Sequence, residues 1–436
     1  MGKSYRPYCP DEELLLPPSL RDWLPEKHLA YFVSDVVDNL DLSAMDAVYG
    51  NEKRGQPPYD PLMMTKVLVY AYCVGVFSSR RIERRLVEDI AFRVLAAGNQ
   101  PNFRTISDFR KIHLKTLAGL FEQVLQIALE AGAMKVGRVA LDGTKIKANA
   151  SKHKAMSYDR MAEKLKQLRA EVKQLLERAQ AADAEEDARY GRDRSGEELP
   201  AELERRETRQ QKIREAKRAL EERARQRAAA EGGDAKPAKP KEKDQYNFTD
   251  PESRIMKGAD GFVQGYNAQA AVEPDLQLIV GQTVTQATND KEQLLPMVEV
   301  IERQSGQRPE EILADSGYCS EKNLEALESA GQPEQRIEGY IATERLKHDE
   351  YREACPKGPL PKGAMRVDRM RRKLKTKVGK AVYAARKAIV EPVFGQIKQA
   401  RGFRQFLLRG IDKVRGEWAL VCLTHNILKC YRLCYE

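Results

Sequence analysis

Apolar residues recur three and four apart in two early stretches, residues 62–73 and 82–95, and that spacing predicts two amphipathic helices. Asp60-Pro61 marks the start of the first. After a loop at Gly98-Asn-Gln-Pro101, the segment 105–111 predicts a further helix capped by Thr105 or Ser107. Residues 1–133 therefore read as a helical, DNA-binding domain. Its short helices suit a helix-turn-helix unit or any helical bundle.

The texture changes at residues 136–142, a short apolar run behind Gly132 and Gly137 that predicts a buried strand. Alternation over 261–272 and 276–284, with a turn at Pro274-Asp275, predicts a hairpin. A helix is expected over 289–304 and a buried strand over 311–314. The order implies a mixed sheet flanked by helices, built from residues 134–152 and 246–436. Between these parts, residues 153–245 are rich in Lys, Arg, Glu, Gln and Ala, with a narrow seam of Met161, Leu165, Leu168, Val172, Leu175 and Ala179. That seam predicts a charged helical hairpin or coiled-coil insertion, with a flexible exit over 232–241. Gly410 is expected to end a segment before a last helix over 418–433.

Composition narrows the class. With 436 residues and 42% hydrophobic content, the chain is long enough for two or more domains. Lys and Arg outnumber Asp and Glu 75 to 65, a formal charge of +10, which favours a polyanionic partner such as nucleic acid or serves as a solubilising surface. Arg80, Arg81, Arg84 and Arg85 crowd one helix start, as phosphate contacts or as a salt-bridged face. Seven scattered cysteines form no CxxC pair, so neither a zinc site nor a disulfide framework is indicated. No signal core and no run of about 18 apolar residues occurs, so no membrane is expected and a reducing cytoplasm is.

Three acids stand in informative settings: Asp142 and Asp315 each end an apolar run, and Glu391 opens Glu-Pro-Val-Phe-Gly-Gln-Ile-Lys398. Strand ends of a mixed sheet share one edge, so the two aspartates are expected to meet there. All-oxygen ligation favours magnesium, with manganese as a substitute, and two such ions about 3.5 to 4 Å apart suit phosphodiester chemistry. Lys398, close to two helical turns after Glu391, is placed to meet a phosphate. Pro392 means that a helix begins at Glu391 or that one running from about residue 378 is kinked. Asp250 and Arg254 either pair with each other or touch DNA, and Asp290 caps a helix or approaches the metal edge. His425 and Trp418 read as core. Arg401 and Arg404 lie in a stretch interleaving Arg with aromatics, which suits contact with DNA ends or closure of the domain.

The segments Val139-Ala-Leu-Asp-Gly-Thr-Lys-Ile-Lys-Ala-Asn-Ala150, Thr249-Asp-Pro-Glu-Ser-Arg-Ile-Met256, Gln264-Gly-Tyr-Asn-Ala-Gln-Ala270, Leu313-Ala-Asp-Ser-Gly-Tyr318 and Val390-Glu-Pro-Val-Phe-Gly-Gln-Ile-Lys398 resemble DDE transposases of bacterial insertion sequences. The likeness spans nearly the whole chain. It implies a ribonuclease-H-like catalytic domain after a helical domain, with Asp142, Asp315 and Glu391 as catalytic metal ligands. It also implies binding of terminal inverted repeats and target DNA, strand cleavage, 3′-hydroxyl transfer, a homodimer on DNA and a nucleoid-associated protein. Tyr383 and Arg386 match the motif's tyrosine and arginine with four residues instead of three before Glu391, and Lys387 occupies the strict arginine position. A nuclease of this fold without strand transfer, or a catalytically silent DNA-binding derivative, are the alternatives.

Overall fold

The computed structural model describes residues 19–49, 57–190, 201–230, 239–258, 261–328, 336–344, 355–356, 358–361 and 363–435. The first eight residues, Cys9 and most of the expected 232–241 exit lie outside them. Among the described residues seven α-helices come before the sheet: α1 (Leu29–Asp38), α2 (Ser43–Tyr49), α3 (Pro61–Cys73), α4 (Ser79–Glu88), α5 (Ile90–Leu95), α6 (Phe103–Ile112) and α7 (Leu114–Glu130). Asp60 caps α3 through Leu62 N at 2.7 Å, with Pro61 in the first turn where its missing N–H is harmless. The helix expected over 82–95 is two helices. Asp89 is extended at φ −118°, and its side chain accepts from Ala91 N at 3.0 Å to start α5. Asn102, rather than Thr105 or Ser107, caps α6, because its side-chain oxygen reaches both Arg104 N and Thr105 N at 2.9 Å.

The sheet holds β1 (Arg138–Lys147), β4 (Arg254–Gly258), β5 (Gly261–Val272), β6 (Ile279–Thr285), β7 (Glu311–Ala314) and β8 (Glu338–Ile341). β1, β7 and β8 run parallel, and β5 pairs antiparallel with β1. On its other edge β5 carries β4 along its first half and β6 along its second. β1 does not stop at Asp142. Pairing with β5 continues it from Ala140 to Lys147, five residues beyond the expected end, because the polar residues after Asp142 still have a strand to bond. α10 (Leu294–Ser305) starts five residues later than expected and lays Ile301 against Gly281 of β6. α11 (Glu321–Glu328), α12 (Arg366–Lys375) and α13 (Lys377–Gly395) follow, and α14 (Ile411–Tyr435) closes the chain.

The helical region and the sheet share one hydrophobic core. α14 is what joins them. Trp418 is buried and donates to Gln269 O at 3.1 Å, while Glu417 accepts from Leu407 N, Leu408 N and the Tyr72 hydroxyl of α3. His425 is a core residue bonded to Gln277 O at 3.0 Å.

A small ladder of β2 (Ala155–Ser157) and β3 (Gln245–Asn247) leads to α8 (Tyr158–Tyr190) and α9 (Ala201–Ala230). Met161, Leu165 and Leu168 pack against Ile213, Ala216 and Leu220, and the Tyr158–Glu221 and Glu171–Arg206 bonds show that the helices are antiparallel. Six described cysteines are free thiols. Among the described residues no helix is long and apolar enough to cross a membrane.

Candidate active site

The parallel register between β1 and β7 pairs Arg138 with Glu311, Val139 with Ile312 and Ala140 with Leu313. The same offset carried two residues further puts Asp142 level with Asp315. There β1 has lost β7 as a neighbour, and Asp315 leaves the strand to cap a 3-10 turn through Gly317 N at 2.9 Å. Asp142 Oδ1 accepts from Gly143 N at 2.8 Å, and Oδ2 lies 3.3 Å from Arg386 Nη1. Burial pushes the Asp142 carboxyl up to about 6; Asp315 adds to the rise, while Arg386 and the Gly143 N–H oppose it.

Alternation along β1 divides the neighbours into two faces. Asp142 and Thr144 look towards α13 and the turn after it, where Lys398 Nζ reaches the Thr144 hydroxyl and Lys145 O. Gly143 and Lys145 lie opposite Gln269 and Asn267 of β5 on the other face. There Asp290 Oδ1 accepts from Asn267 Nδ2 at 2.6 Å, from Gln269 Nε2 at 2.7 Å and from Lys145 Nζ at 3.3 Å. Asp290 precedes α10 by four residues and does not cap it. It lies beside Asp315 instead, since a Cβ on Gly317 would stand 2.9 Å from Asp315 Oδ1 and 3.7 Å from Asp290 Oδ2. The Tyr318 hydroxyl closes this network on Gln269 Oε1. Asn267, Gln269 and Tyr318 are fully buried. Their signal was present in Gln264-Gly-Tyr-Asn-Ala-Gln-Ala270, where amides interrupt an otherwise apolar strand.

α13 runs through Pro392 as one helix, so the proline lies inside it and not at its start. Pro392 has no N–H for the carbonyl of Ala388, and Gln277 Nε2 supplies the missing donor at 2.9 Å. The helix then passes into a π turn over Gln396–Ala400, which absorbs one extra residue. Arg386, not Lys387, reaches Asp142: Arg386 is buried and Lys387 exposed. The Arg386 guanidinium also stands 6.0 Å from the Tyr383 ring centre, and its Nε is buried with no hydrogen-bond partner among the described residues. Glu391, five residues on, is turned roughly 140° from Arg386 and is exposed. Among the described residues no three His, Cys, Asp or Glu side chains stand close enough to hold a metal ion. The structure brings Asp142 and Asp315 together and leaves Glu391 outside. Two carboxylates sharing an edge are oxygen donors of the kind a hard cation takes, although Arg386 sits on one of them.

The remaining basic positions divide. Arg84 and Arg85 are in ion pairs with Glu88 and Asp89, Arg80 stacks 4.3 Å over the Phe103 ring, and Arg81 is exposed. Arg254 does not pair with Asp250. It donates to the carbonyls of Pro251, Glu252 and Ser253, while Asp250 accepts from the Tyr266 hydroxyl at 2.8 Å. Arg401 is no surface contact: it is buried and donates to Thr424 Oγ1 at 2.7 Å and to Val421 O, both on α14. Arg404 is exposed and bonds Gln399 and Lys398 O.

A family model described as a transposase domain (DUF772) matches residues 18–112, and one described as a transposase DDE domain matches residues 234–427. The second span contains Asp315 and Glu391 but not Asp142. No curated protein and no solved structure matches the chain. With α1 to α6 matched by one transposase domain and most of the sheet, α13 and most of α14 by the other, the chain is a DDE transposase of the insertion-sequence type.

Proposed function

We propose that the chain cuts DNA at the ends of a mobile element and joins the freed 3′-hydroxyls to target DNA, with Asp142, Asp315 and Glu391 as the carboxylates of a ribonuclease-H-like site. The observation that carries this reading is the register that sets Asp142 level with Asp315 at the end of the parallel strands. The strand order, with three parallel strands beside an antiparallel β5, supports the same fold. Magnesium ions, when bound, supply Lewis-acid stabilisation of the attacking and leaving oxygens. Asp142 and Asp315 would hold them, with Glu391 as the third carboxylate. Arg386 pairs with the Asp142 carboxylate, and Lys398, next to Thr144, lies where a backbone phosphate approaches. Terminal inverted repeats and target DNA are the substrates, and a homodimer on DNA brings two ends together.

The test is cleavage and joining of a DNA fragment carrying the element's ends in magnesium, comparing wild type with Asp142→Ala, Asp315→Ala and Glu391→Ala. Loss of both products in each folded variant is expected. Full activity in any one of them would remove that residue from the site, and nicking without joined product in the wild type would make the chain a nuclease.

A further inference from the structure

Where α9 leans against the sheet there is a cleft of about 740 Å³ that the candidate active site does not use. Four of its lining side chains are cationic, namely Arg223 and Arg227 of α9, Lys243 before β3 and Arg254 of β4, against one carboxylate, Asp244. Asp244 is taken by Arg227 at 2.5 Å. Arg254 donates to three backbone carbonyls and to Gln286 Oε1, and Arg223 to Pro251 O, so their hydrogen bonds end on neutral acceptors. Glu252, which also bears on both arginines, is held by Ile411 N–H at 2.8 Å. Burial first, and the neighbouring cations after it, push Arg254 down to about 10 and lower Arg223 too, with Glu252 opposing in both. The cleft wall ends at Ala287 and Thr288, and Ala287 O accepts from the same Asn267 amide that holds Asp290.

We infer that this cleft holds the phosphodiester backbone of a DNA strand running to or from the acidic edge. The inference rests on the proposed function, and under it the α8–α9 hairpin closes a cationic groove over bound DNA. A single small anion would call for convergent free donors. Here the inner arginines are already hydrogen-bonded and contribute charge rather than forks, while Arg227 and Lys243 stay exposed at the rim, which suits a polyanion bound through counterion release.

The test uses the full chain and a fluorescein-labelled duplex of about 30 base pairs and arbitrary sequence, long enough for several phosphate contacts, without divalent metal, with affinity read by anisotropy across a potassium chloride series. Arg227→Gln with Lys243→Gln changes two exposed side chains. The slope of log affinity against log salt is expected to fall by about 1.8, with affinity near 0.1 M salt down roughly tenfold or more. Lys164→Gln with Lys173→Gln, the same charge change on α8, is expected to leave the slope unchanged. An unchanged slope in the cleft variant, or an equal fall in the α8 variant, overturns the inference. Asp142→Ala separates the two readings: if it abolishes cleavage while the cleft variant binds normally, only the cleft assignment falls. If it cleaves normally while the cleft variant binds weakly, the site assignment falls instead.

Discussion

Arg386 of α13 and Asp142 of β1 form an ion pair, Nη1 to Oδ2 at 3.3 Å, that places a protein cation on a carboxylate otherwise suited to a metal ion. Both partners are largely enclosed, with side-chain exposures of 8% and 22%. A buried pair of this kind costs most when only one member is removed. Arg386→Gln is therefore expected to destabilise the fold by about 3 kcal/mol in urea unfolding, and the double variant with Asp142→Asn by clearly less than the sum of the single changes. Strict additivity would mean that the pair is not energetically coupled.

Gly143 is where the amide network comes closest to β1. A Cβ there would lie 2.3 Å from Gln269 Nε2 and 2.7 Å from Asp290 Oδ1. Gly143→Ala should push this network aside and cost about 1 to 3 kcal/mol by overpacking. Thermal melting checks the stability, and DNA cleavage should be lost even at temperatures where the variant is folded. A variant as active as wild type would show that the network has no part in setting the site.

The Gln277 amide substitutes for the N–H that Pro392 lacks. Gln277→Ala is expected to cost about 1 kcal/mol in the wild-type chain. In a Pro392→Ala background the helix regains its own donor for Ala388 O, so the same change should cost less. Equal costs in the two backgrounds, measured by denaturant unfolding, would separate Gln277 from the proline.

His425 is buried in α14 and held well below its usual range, at about 3, by burial first and then by Arg401, Lys429 and Arg432; its bond to Gln277 O opposes this. The unfolded chain takes up a proton near pH 6.5 that the folded chain refuses until about 3, so stability is full above 6.5 and falls as pH drops through that window. The slope attributable to this group is at most about 1.4 kcal/mol per pH unit. Asp142, raised to about 6, acts with the opposite sign between about 4 and 6, favouring the folded state as pH falls. Comparing unfolding free energies of wild type and His425→Gln from about pH 7 to about pH 4 isolates the histidine. The variant should show the shallower loss, and parallel curves would place the proton uptake elsewhere.

Local order was readable where one physical signal dominated. Asp60-Pro61 starts α3, the three- and four-residue seam of Met161, Leu165 and Leu168 packs as spaced, and the alternation of 261–272 and 276–284 is the β5–β6 hairpin. The break at Asp89 was hidden because the apolar spacing continues across it, while a single side-chain bond decides the cap. Arg401 looked like a surface contact because its neighbours are basic and aromatic. Only the packing of α14 brings Thr424 and Val421 within reach of its guanidinium.

By itself the sequence determined which residues could carry the chemistry: Asp142 and Asp315 at the ends of apolar runs, Glu391 seven residues before Lys398, and a cationic chain around them. These are properties of residue type and short spacing, which any fold must inherit. The tertiary structure decided which of them meet. Strand register sets Asp142 level with Asp315, whereas five residues of helix turn Glu391 away from Arg386 and the π turn still brings Lys398 to Thr144. Register and helical phase are set by pairing and packing between segments far apart in the chain, and a one-residue change in either moves a side chain to another face.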